Sequence, residues 1–156
     1  MSEENAPVIY LAAPWKDRDH AREVRGHFQA AGIVVNSRWL DFEGDESLSP
    51  DEVKRQEALN DIEDVVSADT VVVLNTSYSE GKAVETGMAI LLMKGLILVG
   101  QPSNVFHYLD FPKVDTVEEA IAVVKNYPWR LTQLRMSRDA VSEFMEASRP
   151  PLVTET

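Results

Sequence analysis

The sequence predicts an α/β fold: a flavodoxin- or Rossmann-like three-layer sandwich on a five-stranded parallel sheet, in the order 2-1-3-4-5. Short apolar runs alternate along the chain with longer segments that carry helix-start signals. Such alternation marks parallel strands joined by right-handed helical crossovers. One run, Thr70 to Leu74, reads Thr-Val-Val-Val-Leu with no polar alternation, as expected of a strand covered by helices on both faces. At 156 residues and 44% hydrophobic, the chain is expected to form one globular domain with a core that needs no staples. The pattern weakens past Pro128. We therefore expect a domain over residues 1–128 and a C-terminal extension over 129–156.

Val8 to Ala13 reads as the first buried strand, followed by a polar turn holding Pro14, Trp15, Lys16 and Asp17. A helix is expected from about Asp17 to Ala31, stopped by Gly32. Ile33 to Asn36 is a second short strand that leads into Ser37, Arg38, Trp39 and Leu40, and Asp41 to Leu48 is an acidic loop. Ser49, Pro50 and Glu52 stand as N-cap, first and third helical residues, which makes a capping box. The helix they open is expected to reach about Ser67. Stepping ~100° per residue gathers Ala58, Leu59, Ile62, Val65 and Val66 on one face centred near Ile62, with Asp61 at its edge.

After the third strand, Thr70 to Leu74, a helix from about Lys82 to Lys94 is apolar around nearly its whole circumference. It is expected to be buried, and Gly95 ends it. Leu96 to Val99 is the fourth strand and Lys113 with Val114 a short fifth. Thr116 and Glu119 form a second capping box, opening a helix to about Asn126. Ser137 to Ala147 can form one more helix, and Arg149, Pro150 and Pro151 onward read as a loose tail.

Charge and residue types remove several classes of function. The net charge of −11 repels a polyanion such as DNA, and no basic stripe offsets it. The absence of cysteine excludes disulfides, thiolate metal sites and cysteine nucleophiles. The first seven residues lack a charged-then-apolar signal, and the longest clean apolar run, Met88 to Met93, is far short of a membrane span. A soluble, cytoplasmic protein with no membrane partner is expected.

His20, His27 and His107 are scattered, so neither a metal cluster nor a Cys-His pair is expected, and the first two should lie solvated on the first helix. No Gly-x-Ser-x-Gly elbow, phosphate-binding P-loop or Gly-x-Gly-x-x-Gly fingerprint occurs. No metal or cofactor is expected.

Carboxylate chemistry remains, with Glu85 and Asp61 flanking the third strand. Glu85 sits in the segment Gly81 to Gly87, at the carboxyl edge of a parallel sheet where ligands bind. A helix start there favours an ionised carboxylate, although acidic residues are also ordinary in first helical turns. Two carboxylates in one cleft suit glycosidic chemistry: one attacks or stabilises the anomeric carbon while the other handles the leaving group's proton. Retaining enzymes set such pairs ~5 Å apart. Asp61 lies well inside its helix, so the cleft is expected to run along that helix.

At these residues the chain resembles the nucleoside 2-deoxyribosyltransferase family. The run Ile9, Tyr10, Leu11, Ala12, Ala13, Pro14, Trp15 resembles the family's opening strand, whose tyrosine lies against the catalytic glutamate. Asn60-Asp61-Ile62, followed by Ala68 to Val73, is similar to its aspartate-bearing helix and central strand. The segment Gly81 to Ala89 matches its Gly-x-x-x-Glu-x-Gly-x-Ala motif. Ser37 to Leu40 and Asn104 to Leu109 are similar to a compact bacterial and phage branch. The resemblance covers roughly Val8 to Asn126. It implies that Glu85 attacks C1′ to form a glycosyl-enzyme ester, that Asp61 binds or protonates the departing base, and that Tyr10 orients Glu85. It also implies substrate-binding roles for Ser79, Gly81, Trp15, Lys16, Arg18, Arg38, Trp39, Asn104 and His107. The partners implied are a deoxynucleoside or its monophosphate and a purine or pyrimidine base. A homodimer or higher homo-oligomer with shared sites is implied too, which Asn104, His107 and Tyr108 can reach across.

Ser79, six residues before Glu85, bears on the reaction. The family's transferases carry aspartate there, whereas related deoxynucleoside 5′-monophosphate hydrolases carry a serine that contacts phosphate. A hydroxyl can donate to a phosphate that an aspartate would repel, and Lys16, Arg18 and Arg38 can supply charge. Against hydrolysis, Ala13-Pro14 replaces the hydrolases' Gly-Ser pair, and Ser79 also fits a plain helix N-cap. Deoxyribosyl transfer is the family-level expectation and hydrolysis its rival. A non-catalytic nucleotide-binding or sensor protein is a third reading, since fold alone does not fix function; the presence of both Asp61 and Glu85 counts against it.

Overall fold

The computed structural model describes residues 6–126 and residue 146. Five parallel strands form one sheet in the order β2-β1-β3-β4-β5: β1 (Val8–Ala12), β2 (Val34–Val35), β3 (Thr70–Leu74), β4 (Gly95–Val99) and β5 (Lys113–Val114). This is the predicted order. Helices α1 (Arg18–Ala30), α2 (Pro50–Ser67), α3 (Glu80–Leu91) and α4 (Val117–Asn126) cover the sheet. α2 packs beside α3, and α1 beside α4, because the chain reverses its direction of winding between β1 and β3. At that reversal the strands' carboxyl ends leave a crevice. The central strands supply the core: Ile9, Leu11, Val71, Val72, Ile97 and Leu98 are fully buried. The expected helix over 137–147, the loose tail after it and the extension over 129–156 lie outside the described residues.

Local chemistry sets most boundaries. The Ser49 hydroxyl accepts from the Glu52 N–H at 3.3 Å and the Glu52 carboxylate accepts from the Ser49 N–H at 2.8 Å. Thr116 and Glu119 make the same reciprocal pair at the start of α4. Gly32, at φ +80°, closes α1 in a conformation that costs a residue without Cβ little.

Three expectations need correction. α3 begins at Glu80 because the Ser79 hydroxyl caps it, accepting from the Lys82 N–H at 3.3 Å. It ends at Leu91, not Lys94. Met93 turns the chain at φ 55°, so that Gly95 enters the sheet opposite Thr70.

α3 is also not buried all round. Its buried residues are Lys82, Glu85, Thr86 and Ala89, whereas Val84 and Leu91 stand exposed. The polar stripe faces the crevice and the apolar flank faces outward. In α2 the face centred on Ile62 is only half-buried and Ala58 is exposed. The buried residues there are Asp64 and Val65, because an arginine from the β2 side draws the Asp64 carboxylate inward.

Candidate active site

Three elements converge at the crevice between β1 and β3. Tyr10 is the middle residue of β1 and fully buried. Its hydroxyl donates to Glu85 Oε1 at 2.7 Å. Glu85 lies in the second turn of α3, not at the helix start, so the macrodipole, which fades within the first turn, does little for its charge. Burial dominates instead and raises the Glu85 carboxyl to about 8, while the Tyr10 hydrogen bond pulls it down and Asp61 pushes it up. Asp61 enters sideways from the body of α2, which packs against β1 and α3. Burial likewise raises Asp61 to about 7, Glu57 adds to the rise, and the Tyr10 hydroxyl opposes it. The Tyr10 hydroxyl has one hydrogen, and it is donated to Glu85. Asp61 Oδ1 is buried with no hydrogen-bond partner among the described residues.

Such a pair shares protons. Between about pH 7 and about pH 8 the pair holds one proton, mostly on Glu85, the higher of the two, so the form with Glu85 ionised and Asp61 protonated is the minor one. That combination supplies a nucleophile and an acid from two like residues.

Beside this pair a cavity of about 460 Å³ opens at the carboxyl ends of β3 and β4. Ser77, Ser79, Lys82, Thr86, Asn104 and His107 are in its wall. Glu85, Tyr10 and Asp61 are not; the cavity meets the carboxylate pair through Lys82 and Thr86, the helical neighbours of Glu85. Among the described residues no acidic side chain lines the cavity. The Lys82 ammonium is buried and donates to Asn75 Oδ1 at 2.6 Å and to the Ser77 carbonyl; burial lowers its proton affinity. An ammonium has three donors, so one remains for a ligand. The Ser77 hydroxyl is buried without a partner among the described residues. His107 is buried, its Nδ1 accepting from the Ser103 N–H at 3.0 Å, and burial lowers its proton affinity. Asn104 Oδ1 caps the short turn Val105–Tyr108 through the Phe106 N–H at 2.9 Å.

The remaining residues nominated for substrate fall into two groups. Trp15 is exposed near the carboxyl end of β1, with the Arg18 guanidinium 4.6 Å from its ring centroid. Lys16 is exposed, and Gly81 lies in the first turn of α3. Trp39, however, is buried, and its indole N–H donates to the Leu11 carbonyl at 2.8 Å, so it offers no surface to a substrate. Arg18 donates to the Leu40 and Phe42 carbonyls at 2.7 and 2.8 Å. Arg38 is paired with Glu63 at 2.8 Å and Asp64 at 3.0 Å. Arg18 and Arg38 are thus committed to the protein itself.

Lys82 was not nominated from the sequence. Its signal is visible there all the same: Lys82, Glu85 and Thr86 recur at helical spacing in an otherwise apolar segment, a polar stripe that must face something polar. Among the described residues no group of three or more His, Asp or Glu side chains could hold a metal ion, and no helix is long and apolar enough to cross a membrane.

No protein-family model matches the sequence, and no curated protein matches it either. Solved structures do match. A 2-deoxyribosyltransferase from the psychrotolerant bacterium Bacillus psychrosaccharolyticus aligns with a TM-score of 0.61 and 21% identity, over 82% of this chain and 97% of that one. The CMP N-glycosidase of Clostridium botulinum aligns with a TM-score of 0.51 and 18% identity, over 77% of this chain and 99% of that one. At these identities the likeness establishes a shared fold.

Proposed function

We propose that the protein cleaves the N-glycosidic bond of 2′-deoxynucleosides through a glutamyl-deoxyribosyl intermediate and passes the sugar to another base. One observation carries this reading: Tyr10 and Glu85, hydrogen-bonded at 2.7 Å, stand at the sheet's crevice with Asp61, and both carboxyls are raised. Glu85 Oε2, the oxygen not held by Tyr10, attacks C1′ as the C1′–N bond breaks. The bonding electrons go to the base nitrogen, and protonated Asp61 delivers its proton to the departing base. An incoming base then attacks C1′, Glu85 leaves as carboxylate, and Asp61 recovers a proton from the acceptor. Both structural neighbours are named for chemistry of this kind, a 2-deoxyribosyltransferase and a CMP N-glycosidase.

A second reading, hydrolysis of deoxynucleoside 5′-monophosphates, is favoured by the cavity beside Glu85. In a protein of net charge −11, a hollow that Lys82, Ser77 and Ser79 line, with no acidic side chain among the described residues, suits a phosphate. Water then takes the place of the acceptor base.

The products decide. Deoxynucleosides with a second free base, and separately deoxynucleoside monophosphates, are incubated with the protein and separated by chromatography. Base exchange supports transfer; free base from monophosphates alone supports hydrolysis. No turnover with either set leaves a nucleotide-binding or sensor protein.

This reading places the enzyme in the cytoplasm, with the free nucleosides and their monophosphates, and requires no cofactor. It further includes self-association. Leu91 on α3 and Phe106 are exposed and line one hollow with Ile90 and Asn104, an apolar surface suited to a second copy. A strictly monomeric active form in sedimentation removes that part.

A further inference from the structure

Ser37, Arg38 and Trp39 follow β2 and attach it to two other elements. The Ser37 hydroxyl accepts from the Leu11 N–H at 2.8 Å, and Trp39 Nε1 donates to the Leu11 carbonyl at 2.8 Å. Both main-chain groups of the residue next to Tyr10 are thus held by the two residues that flank Arg38. Arg38 reaches the other way, into α2. Its N–H and Nε donate to the two oxygens of Asp64 at 2.7 and 3.0 Å. Nη2 donates to Glu63 Oε2 at 2.8 Å and to the Asn60 carbonyl at 3.2 Å. That carbonyl belongs to the peptide leading into Asp61, and Asp64, one helical turn on, is wholly buried.

We propose that Arg38 is a positioning residue: by gripping the Asn60–Asp61 peptide and neutralising Asp64, it holds the Asp61 carboxyl against Tyr10, and its charge serves α2 instead of a substrate. The proposal rests on the reading of Asp61 as the group that handles the base's proton. A grip of this kind matters because a displacement of ~1 Å at a reacting group can cost about 100-fold in rate. The groups facing Asp61 are Glu57 and Asp64 from α2, Tyr10 from β1, Glu85 from α3 and Arg38 from the turn after β2. Three of these are acids that disfavour a charged Asp61. Arg38 is the cation that opposes them, and without it Asp61 holds its proton to higher pH. The guanidinium's fork spans Asp64, Glu63 and Asn60 at once, which an ammonium cannot do.

The test compares Arg38→Gln, Arg38→Lys and the double variant Arg38→Met/Asp64→Leu, which removes the buried carboxylate together with its partner and so avoids an unpaired charge. Two quantities are measured: kcat and KM on a deoxynucleoside and its 5′-monophosphate, and the titration of the ¹³C-labelled Asp61 carboxyl by NMR. Positioning predicts that kcat falls by up to about 100-fold on both substrates with KM unchanged. It also predicts that the Asp61 midpoint moves to higher pH in Arg38→Gln and returns partway in Arg38→Lys. The double variant loses kcat as well, because the hold on Asn60 is gone. A KM that rises for the monophosphate alone, with kcat intact, makes Arg38 a substrate ligand and overturns the proposal. So does an Asp61 midpoint that no variant moves. The titration needs no substrate: if the wild-type protein turns nothing over, the functional reading fails while the Asp61 midpoint still decides the role of Arg38.

Discussion

Tyr10 donates its hydroxyl hydrogen to Glu85 Oε1 at 2.7 Å, joining residues 75 apart in the chain. The bond leaves Glu85 Oε2 as the free oxygen and favours the ionised carboxylate against its burial. A hydrogen bond to a charged partner contributes about 1.5–3 kcal/mol, enough to shift the proton balance of the whole site.

Tyr10→Phe removes that donor while keeping the ring. Glu85 then holds its proton to higher pH, so the low-pH arm of the kcat/KM profile moves upward and the rate at neutral pH falls by about 10- to 100-fold. A variant with an unmoved arm would show that Tyr10 only fills space.

The wild-type kcat/KM profile should be a bell with its maximum between about pH 7 and about pH 8, the values to which Asp61 and Glu85 are raised. Below the bell both carboxyls are protonated and no nucleophile exists; above it both are ionised and the departing base receives no proton. A rate that keeps climbing through pH 9 would remove Asp61 as an acid.

Asp61→Asn should slow the release of poor leaving bases most, since those depend most on the delivered proton. Initial rates across a series of bases of graded acidity test this. An equal loss for every base would reduce Asp61 to a binding group.

Glu85→Ala should abolish turnover without unfolding the chain. Glu85→Gln should go further and stabilise it. Glu85 is raised above its ordinary value, so the folded state binds the proton more tightly than the unfolded one. Stability falls as pH rises from about 4.3, the unfolded value, to about 8. The slope is at most about 1.4 kcal/mol per pH unit. The glutamine variant escapes that loss, and its Tm advantage over wild type should widen from pH 5 to pH 8 and then level off. A constant difference across the range would contradict the raised carboxyl.

Lys82→Met keeps the length of the side chain and deletes its charge. On the phosphate reading, KM for deoxynucleoside monophosphates rises by about tenfold or more, the loss of one charge-assisted hydrogen bond, while KM for unphosphorylated deoxynucleosides stays put. Equal effects on both substrates would leave Lys82 as a tie to Asn75 and Ser77.

Where this sequence is locally explicit, it is readable. Ser49 with Glu52, Thr116 with Glu119 and the run Thr70 to Leu74 act within a few residues, and each element they predict is present. The errors fall where rotation of a helix about its own axis decides burial. α3 turns its few polar side chains inward because the crevice offers Lys82 an amide and a carbonyl. α2 buries Asp64 because Arg38 meets it there. Arg38 and Asp64 are 26 residues apart, and Asn75 and Ser77, although close to Lys82 in the chain, belong to the loop before α3, whose path the packing of the sheet sets.

The sequence by itself determined the order of strands and helices, their caps, and the placement of Glu85 after the central strand, because all of these follow from short-range periodicity and capping. Only the tertiary structure decided which charges meet: Tyr10 with Glu85, Arg38 with Asp64, Lys82 with the cavity. Those pairings depend on strand register and on which face each helix presents to the sheet. Register and helix rotation are set by the packing of the whole core, and no local stretch of residues encodes them.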